Sequence, residues 1–526
     1  MSTPAAEAKL PRQIPFIIGN EAGERFGFYG MRNILTKFLI GWLFVSLPLA
    51  EREPAAKETF HAFVMGVYFF PLLGGFIADR LWGRYQTILR LSLVYIAGFV
   101  LLAFSTGSRE WFMLGLFLVA LGSGGIKPCV SPFVGDQFDQ SNKAKAKVVF
   151  DAFYWVINFG SFFASLLMPA VLTGGSEPWR PTLAFGIPGV VMVLATVLFW
   201  VGRHRYVRVP PAEADPHSFL RVVKTALLTR AEGRGRPGLW LALMGVVLGV
   251  GTLFAIPWLG AVAGLCLALV WVLGFGGAGA WLQLERARGH HPEDDVDGVR
   301  AVLRVLVVFA LITPFWSLFD QKASTWILQG EVMALPGWSW FTSGSQMQAL
   351  NPAMVMVLIP LNNTVLFPLL RRLGVTVTPL RRMGAGIAIA GLAWILVALL
   401  QLRVDSAAAQ GLKVPVLWQA GPYLLLTLGE VLVSATGLEF AYSQAPARLK
   451  SVVTAFFQLS VTVGNLWVLL VNVSVKSPVV TDAIKAQGWG VTASQMFFFA
   501  GFALVAALAF ALYARRFPMA DYYRKA

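Results

Sequence analysis

The first long apolar segment of this 526-residue chain carries Glu21, Glu24, Arg25, Tyr29 and Arg32. They follow Glu21 at offsets of three, four, eight and eleven, so a helix of about 3.6 residues per turn sets them along one face. An ionised side chain inside a span costs roughly 2.5–3.5 kcal/mol on insertion scales, and each therefore needs a partner, a wet cavity or a task. Such a stripe faces a cavity, not lipid. Its chemistry is protonic: a glutamate one turn from an arginine in a low-dielectric site switches between paired and protonated states, and each state leaves the guanidinium differently engaged. Further along stand His61 with Tyr68 seven residues later on the same face, Lys127, Asp320 with Trp316 four residues before it, and Glu430 in apolar surroundings. For a single pair, a buried salt bridge that only holds helices together is an equal reading. For a set spread over both halves of the chain, function is the stronger one. A lone histidine such as His61 also has an interfacial hydrogen-bonding reading.

The elements that position these residues are membrane spans. Hydrophobic residues make up 57% of the chain and charged residues 13%, with a mean hydropathy of +0.66. Apolar runs recur at bilayer-crossing length, and fourteen candidate spans can be marked. The net charge of +16 sits mainly in alternate connections, which marks membrane orientation and argues against a nucleic-acid surface. By the positive-inside rule both termini are expected in the cytoplasm. Met1 to Pro15 lacks the apolar core and cleavage site of a signal peptide, so the first span is expected to stay in the mature protein. Cys129 and Cys266 form no metal or disulfide framework. No cofactor, nucleotide loop or nucleophile constellation is expected: GRGRPG lacks the Lys-Ser/Thr of a phosphate loop, and His290-His291 reads as a loop pair without further ligands.

Setting aside a hairpin at about 238–284 leaves six spans on either side of a basic connection. The expected organisation is an N-terminal six-helix bundle over 14–203, a linker with the inserted hairpin over 204–299, and a C-terminal six-helix bundle over 300–516. Within the linker, Ser218 to Leu228 reads equally as an interfacial amphipathic helix or an irregular segment.

The run GGFIADRLWGRYQ, with Gly75, Asp79, Arg80, Gly83 and Arg84, resembles the motif between the second and third helices of the major facilitator superfamily. Small residues there permit close helix contact, and an aspartate beside arginines can latch helix ends. EAGERFGFYGMR resembles the ExxER motif of the proton-coupled oligopeptide transporter (POT) family. GGIKP, FYWVINFGS, FWSLFDQ and GEVLVSATGLEFAYSQAP agree with that family. The last run and the histidine in the second span look nearer to animal members, whereas the two extra helices look bacterial.

The resemblance implies an all-α major facilitator fold with twelve core helices and the inserted pair, in a bacterial inner membrane. It implies import of di- and tripeptides by symport with protons. No obligate protein partner is indicated, and the charge pattern argues against nucleic acid. Glu21, Glu24, Arg25, His61 and Asp320 would couple protons. Arg25, Arg32 and Lys127 would hold the peptide carboxylate, and Glu430 its amino terminus. Tyr29, Tyr68, Tyr154, Asn158, Phe315, Trp316, Asn351 and Ser434 would line the site, although aromatic and small residues in spans serve packing just as often. Arg32–Asp320 and Lys127–Glu430 would form gating bridges, and protonated His61 would draw Asp320 away from Arg32.

The chain departs from the family pattern at Phe28, where many members have tyrosine, and at Lys322, where a small residue is usual. Two residues is about 200° around a helix, so Lys322 is expected to point away from Asp320. Rival activities are transport of nitrate or another small anion, drug transport, and an intramembrane hydrolase.

Overall fold

The computed structural model describes residues 10–138, 146–211, 215–230, 235–444, 449–486, 488 and 490–519. Apart from two isolated bridges, the secondary structure of these residues is helical. Eleven helical stretches among them are long and apolar enough to cross a bilayer, and the chain is a multi-pass membrane protein. Polarity is distributed inside-out relative to a soluble protein. Leu194, Val247 and Leu508 are 63, 69 and 63% exposed, whereas Glu24 and His61 are fully buried. Outward leucine and valine suit lipid, and buried charge needs internal partners.

The first helices are α1 (Ile14–Phe38), α2 (Leu49–Ile77), α3 (Gly83–Phe104), α4 (Arg109–Gly135), α5 (Ala146–Thr173) and α6 (Arg180–Val201). The linker forms a ten-residue helix, α7 (Phe219–Leu228). Phe219, Val222 and Ala226 are buried at a spacing of three and four, while Leu220, Arg221 and Lys224 are exposed. The amphipathic reading of this segment is therefore the one realised.

The chain divides into two compact units. Unit 1 comprises Met1–Ala212, Lys322–Pro360 and Leu412–Ala420; unit 2 comprises Glu213–Gln321, Leu361–Gly411 and Gly421–Ala526. Within unit 1, α2 and α4 cross at glycines. A Cβ on Gly74 would stand 2.4 Å from Gly125 Cα, so backbone-to-backbone approach there excludes any side chain. Gly83 turns α2 into α3 with φ +74°, a backbone region that favours glycine. In unit 2 the hairpin helices Pro237–Leu253 and Ala261–Gln283 also meet at glycines, Gly238 facing Gly279.

Five π-helical turns interrupt the described helices: Leu39–Leu43, Ala78–Trp82, Lys322–Trp326, Asn362–Leu366 and Val431–Ala435. A π turn inserts a residue into the helical phase and is frequent at functional sites. Three of the five hold or adjoin residues singled out above: one contains Asp79 and Arg80, one begins at Lys322 and one directly follows Glu430.

Candidate functional site

The charged stripe on α1 gathers into a shared ion cluster. Arg25 Nε donates to Glu21 Oε1 at 2.6 Å and lies 3.2 Å from Glu24 Oε2. Ser123 Oγ on α4 donates to Glu24 Oε1 at 3.2 Å. Both carboxylates are buried, and neither Glu21 Oε2 nor Glu24 Oε2 has a hydrogen-bond partner among the described residues. Two carboxylates on one guanidinium carry a formal charge of −1, which a single proton removes. An arrangement of this kind binds and releases a proton at low structural cost.

The glycine crossing of α2 and α4 brings Lys127 against two rings. Its Nζ lies 4.0 Å from the Phe28 ring centroid and 4.8 Å from that of Tyr68. Phe28, where a hydroxyl is absent, therefore supplies a π face to the ammonium. The Phe28 ring also meets Tyr29 edge-on at 5.3 Å. Arg32 is buried with its guanidinium 5.6 Å above the Phe60 ring. Asn158 is buried on α5, and the side chain of Tyr154 lies outside the described residues.

His61 is fully buried, and its Nε2 lies 3.0 Å from Ser324 Oγ, both within unit 1. Lys322 Nζ donates to Asn351 Oδ1 at 2.7 Å, also in unit 1, so this lysine holds one of the expected lining residues. In unit 2, Asn465 Nδ2 donates to Asp320 Oδ2 at 2.7 Å. Trp316, beside Phe315 at 5.0 Å, has a buried indole N–H with no hydrogen-bond partner among the described residues. Glu430 and Ser434 are both half-buried, with the π turn beginning between them. Arg32 and Lys127 belong to unit 1, and Asp320 and Glu430 to unit 2.

Several polar partners are absent from the sequence reading. Lys37, at the end of α1, pairs with Glu331, and Ser343 and Ser345 donate to the same carboxylate. Ser324 and Asn465 are short polar residues of common type, which carry no sequence signal of their own. The helix-end latch is also more specific than its motif. Arg84 Nη1 forks onto Asp136 at 2.6 and 2.7 Å, while Asp79 lies 3.9 Å from its Nη2. Asp136 caps the end of α4, 52 residues after Arg84, and was not among the expected residues.

The sequence profile of the POT family matches residues 85–489. A solved structure of the POT family transporter PepTSo is 62% identical, with a TM-score of 0.93 over 97% of this chain and 98% of that one. An auto-inhibited POT family peptide transporter is 59% identical, again at TM-score 0.93, over 98% of this chain and 99% of that one. Solute carrier family 15 member 2 from Mus musculus is 32% identical over 76% of this chain and 50% of its own length. The chain thus spans about half the length of the curated relatives it matches. With a profile match over most of its length, and relatives of this kind, the chain belongs to the POT family.

Proposed function

We propose that the protein is a secondary active transporter, a proton-coupled symporter that imports di- and tripeptides by alternating access, and not an enzyme. The observation that carries this reading is the α1 cluster, in which the buried Glu21 and Glu24 share the Arg25 guanidinium. Protonation of one carboxylate frees guanidinium valence for a ligand carboxylate, for which the planar fork is suited. Proton and anionic ligand then favour each other, as symport requires. The solved relative at 59% identity is described as a peptide transporter, which supports a peptide as the ligand.

The positive pole is assigned to Arg25, Arg32 and Lys127, and the negative pole to Glu430. Two poles of opposite sign select a zwitterion whose ends are fixed while its side chains vary. Tyr29, Tyr68, Tyr154, Asn158, Phe315, Trp316, Asn351 and Ser434 are the proposed walls. His61 and Asp320 join the proton path, and Arg32–Asp320 and Lys127–Glu430 are the proposed alternating bridges. Protons serve as the coupling ion, and no other cofactor is assigned.

Fourteen spans follow if three helices are counted by what they are. The apolar stretch Leu49–Phe104 contains both α2 and α3; α1 is long enough but carries the charged stripe; and Pro237–Leu253 is apolar but short. The reading retains the bundles at 14–203 and 300–516, the linker and hairpin between them, cytoplasmic termini and a bacterial inner membrane. The test is uptake of labelled dipeptide into proteoliposomes under an acid-outside gradient. Accumulation of intact peptide that a protonophore abolishes is expected. Equal uptake with the protonophore, or competition by nitrate but not dialanine, rejects the assignment.

A further inference from the structure

Outside the α1 cluster, unit 2 contains an open surface depression of about 620 Å³ between α7 and the turn at His290–His291. Arg221, Lys224, Thr225, Thr229, His290 and His291 line it, so cations, imidazoles and hydroxyls converge without a carboxylate in the lining among the described residues. The fold changes the reading of the histidine pair. His217, just before α7, lies with its Nδ1 2.8 Å from His291 Nδ1, and His291 Nε2 lies 2.9 Å from Thr225 Oγ1. Gln283 Nε2 anchors the other end of α7 through the carbonyls of Ala226 and Leu227 at 2.8 and 2.7 Å. Arg288 is engaged elsewhere, by Glu285 and Asp297, whereas Arg221 and Lys224 have no acidic partner among the described residues.

We propose that this depression binds a phosphodiester headgroup of net negative charge, with Arg221 and Lys224 supplying the countercharge and Thr225, Thr229 and the imidazoles the hydrogen bonds. The volume suits a small headgroup. His290 and His291 lie in the turn between the apolar stretches Ala261–Ala287 and Glu293–Val332, the kind of connection that emerges into the headgroup region of a bilayer. Leu220 and Leu228, 74 and 44% exposed, bracket the cations and suit the acyl boundary around a lipid headgroup. The inference is independent of the transported solute.

The test is native mass spectrometry of the detergent-purified full chain with phosphatidylglycerol, phosphatidylcholine and inorganic phosphate. The expected result is selective retention of phosphatidylglycerol that falls by about tenfold or more in Arg221→Gln/Lys224→Gln. Arg371→Gln/Arg372→Gln, away from the depression, is expected to retain it. Displacement by millimolar phosphate identifies free phosphate as a second source of the same chemistry, and resistance to it identifies the lipid. Equal retention by the Arg221/Lys224 variant and the unmodified protein, or equal retention of phosphatidylcholine, overturns the proposal.

Discussion

Unit 1 holds two ion clusters that both begin on α1 and differ in how completely they are satisfied. At Arg25 two buried carboxylates divide one guanidinium, and one oxygen of each has no hydrogen-bond partner among the described residues. Three turns further along the helix, Lys37 and Glu331 are less buried, and the Glu331 carboxylate accepts from Lys37, from the hydroxyls of Ser343 and Ser345, and from the Ser345 backbone N–H at 3.1 Å. A fully satisfied carboxylate gains little from a proton and acts as a fixed tie. An under-satisfied pair retains a favourable place for one. The contrast sets a carboxylate with both oxygens engaged against a pair with acceptor oxygens left over.

Removing the cation from each cluster breaks or sharpens that distinction. Arg25→Met leaves two carboxylates buried without their counter-ion and is expected to cost about 3–5 kcal/mol, read as loss of folded yield or thermal stability in detergent. Lys37→Met leaves Glu331 with three other donors, and about 1–2 kcal/mol is expected in the same thermal assay. Equal losses would erase the comparison.

A smaller effect comes from unit 2. Burial first, and then the neighbouring His217 and His290, hold the His291 imidazole below its ordinary pKa. The folded chain therefore binds fewer protons at this site than the unfolded chain, which titrates near about 6.5. The docking contribution is complete above that pH and is lost as pH falls through the lower folded value. Amide protection factors across α7, corrected for intrinsic exchange, are expected to drop between pH 8 and pH 5 and to stay level in His291→Gln.

Much of the α1 site was legible because it is local. Glu21, Glu24, Arg25 and Arg32 fall on one helical face by periodicity alone, and Arg25 needed only its own helix to find its partners. The partners of His61 and Lys37 were not legible, since they lie 263 and 294 residues away and only packing brings them together. Lys322 was hidden for another reason. The π turn that begins there breaks the regular phase from which its direction was judged, and its ammonium meets Asn351. Helical character was plain from apolar length, yet α1 fell below the hydropathy of its neighbours because it carries Glu21, Glu24, Arg25 and Arg32. At α7 the pattern left helix and linker open, and burial of Phe219, Val222 and Ala226 decided it.

The most direct measurement compares gradient-driven accumulation with counterflow of labelled dialanine in proteoliposomes containing Glu24→Gln. This substitution keeps the side chain's shape and removes its proton exchange. The account predicts that accumulation under an acid-outside gradient falls by about a hundredfold while counterflow persists, a loss equivalent to roughly 2.7 kcal/mol of coupling. Undiminished accumulation in the variant would contradict the assignment of proton coupling to the cluster on α1.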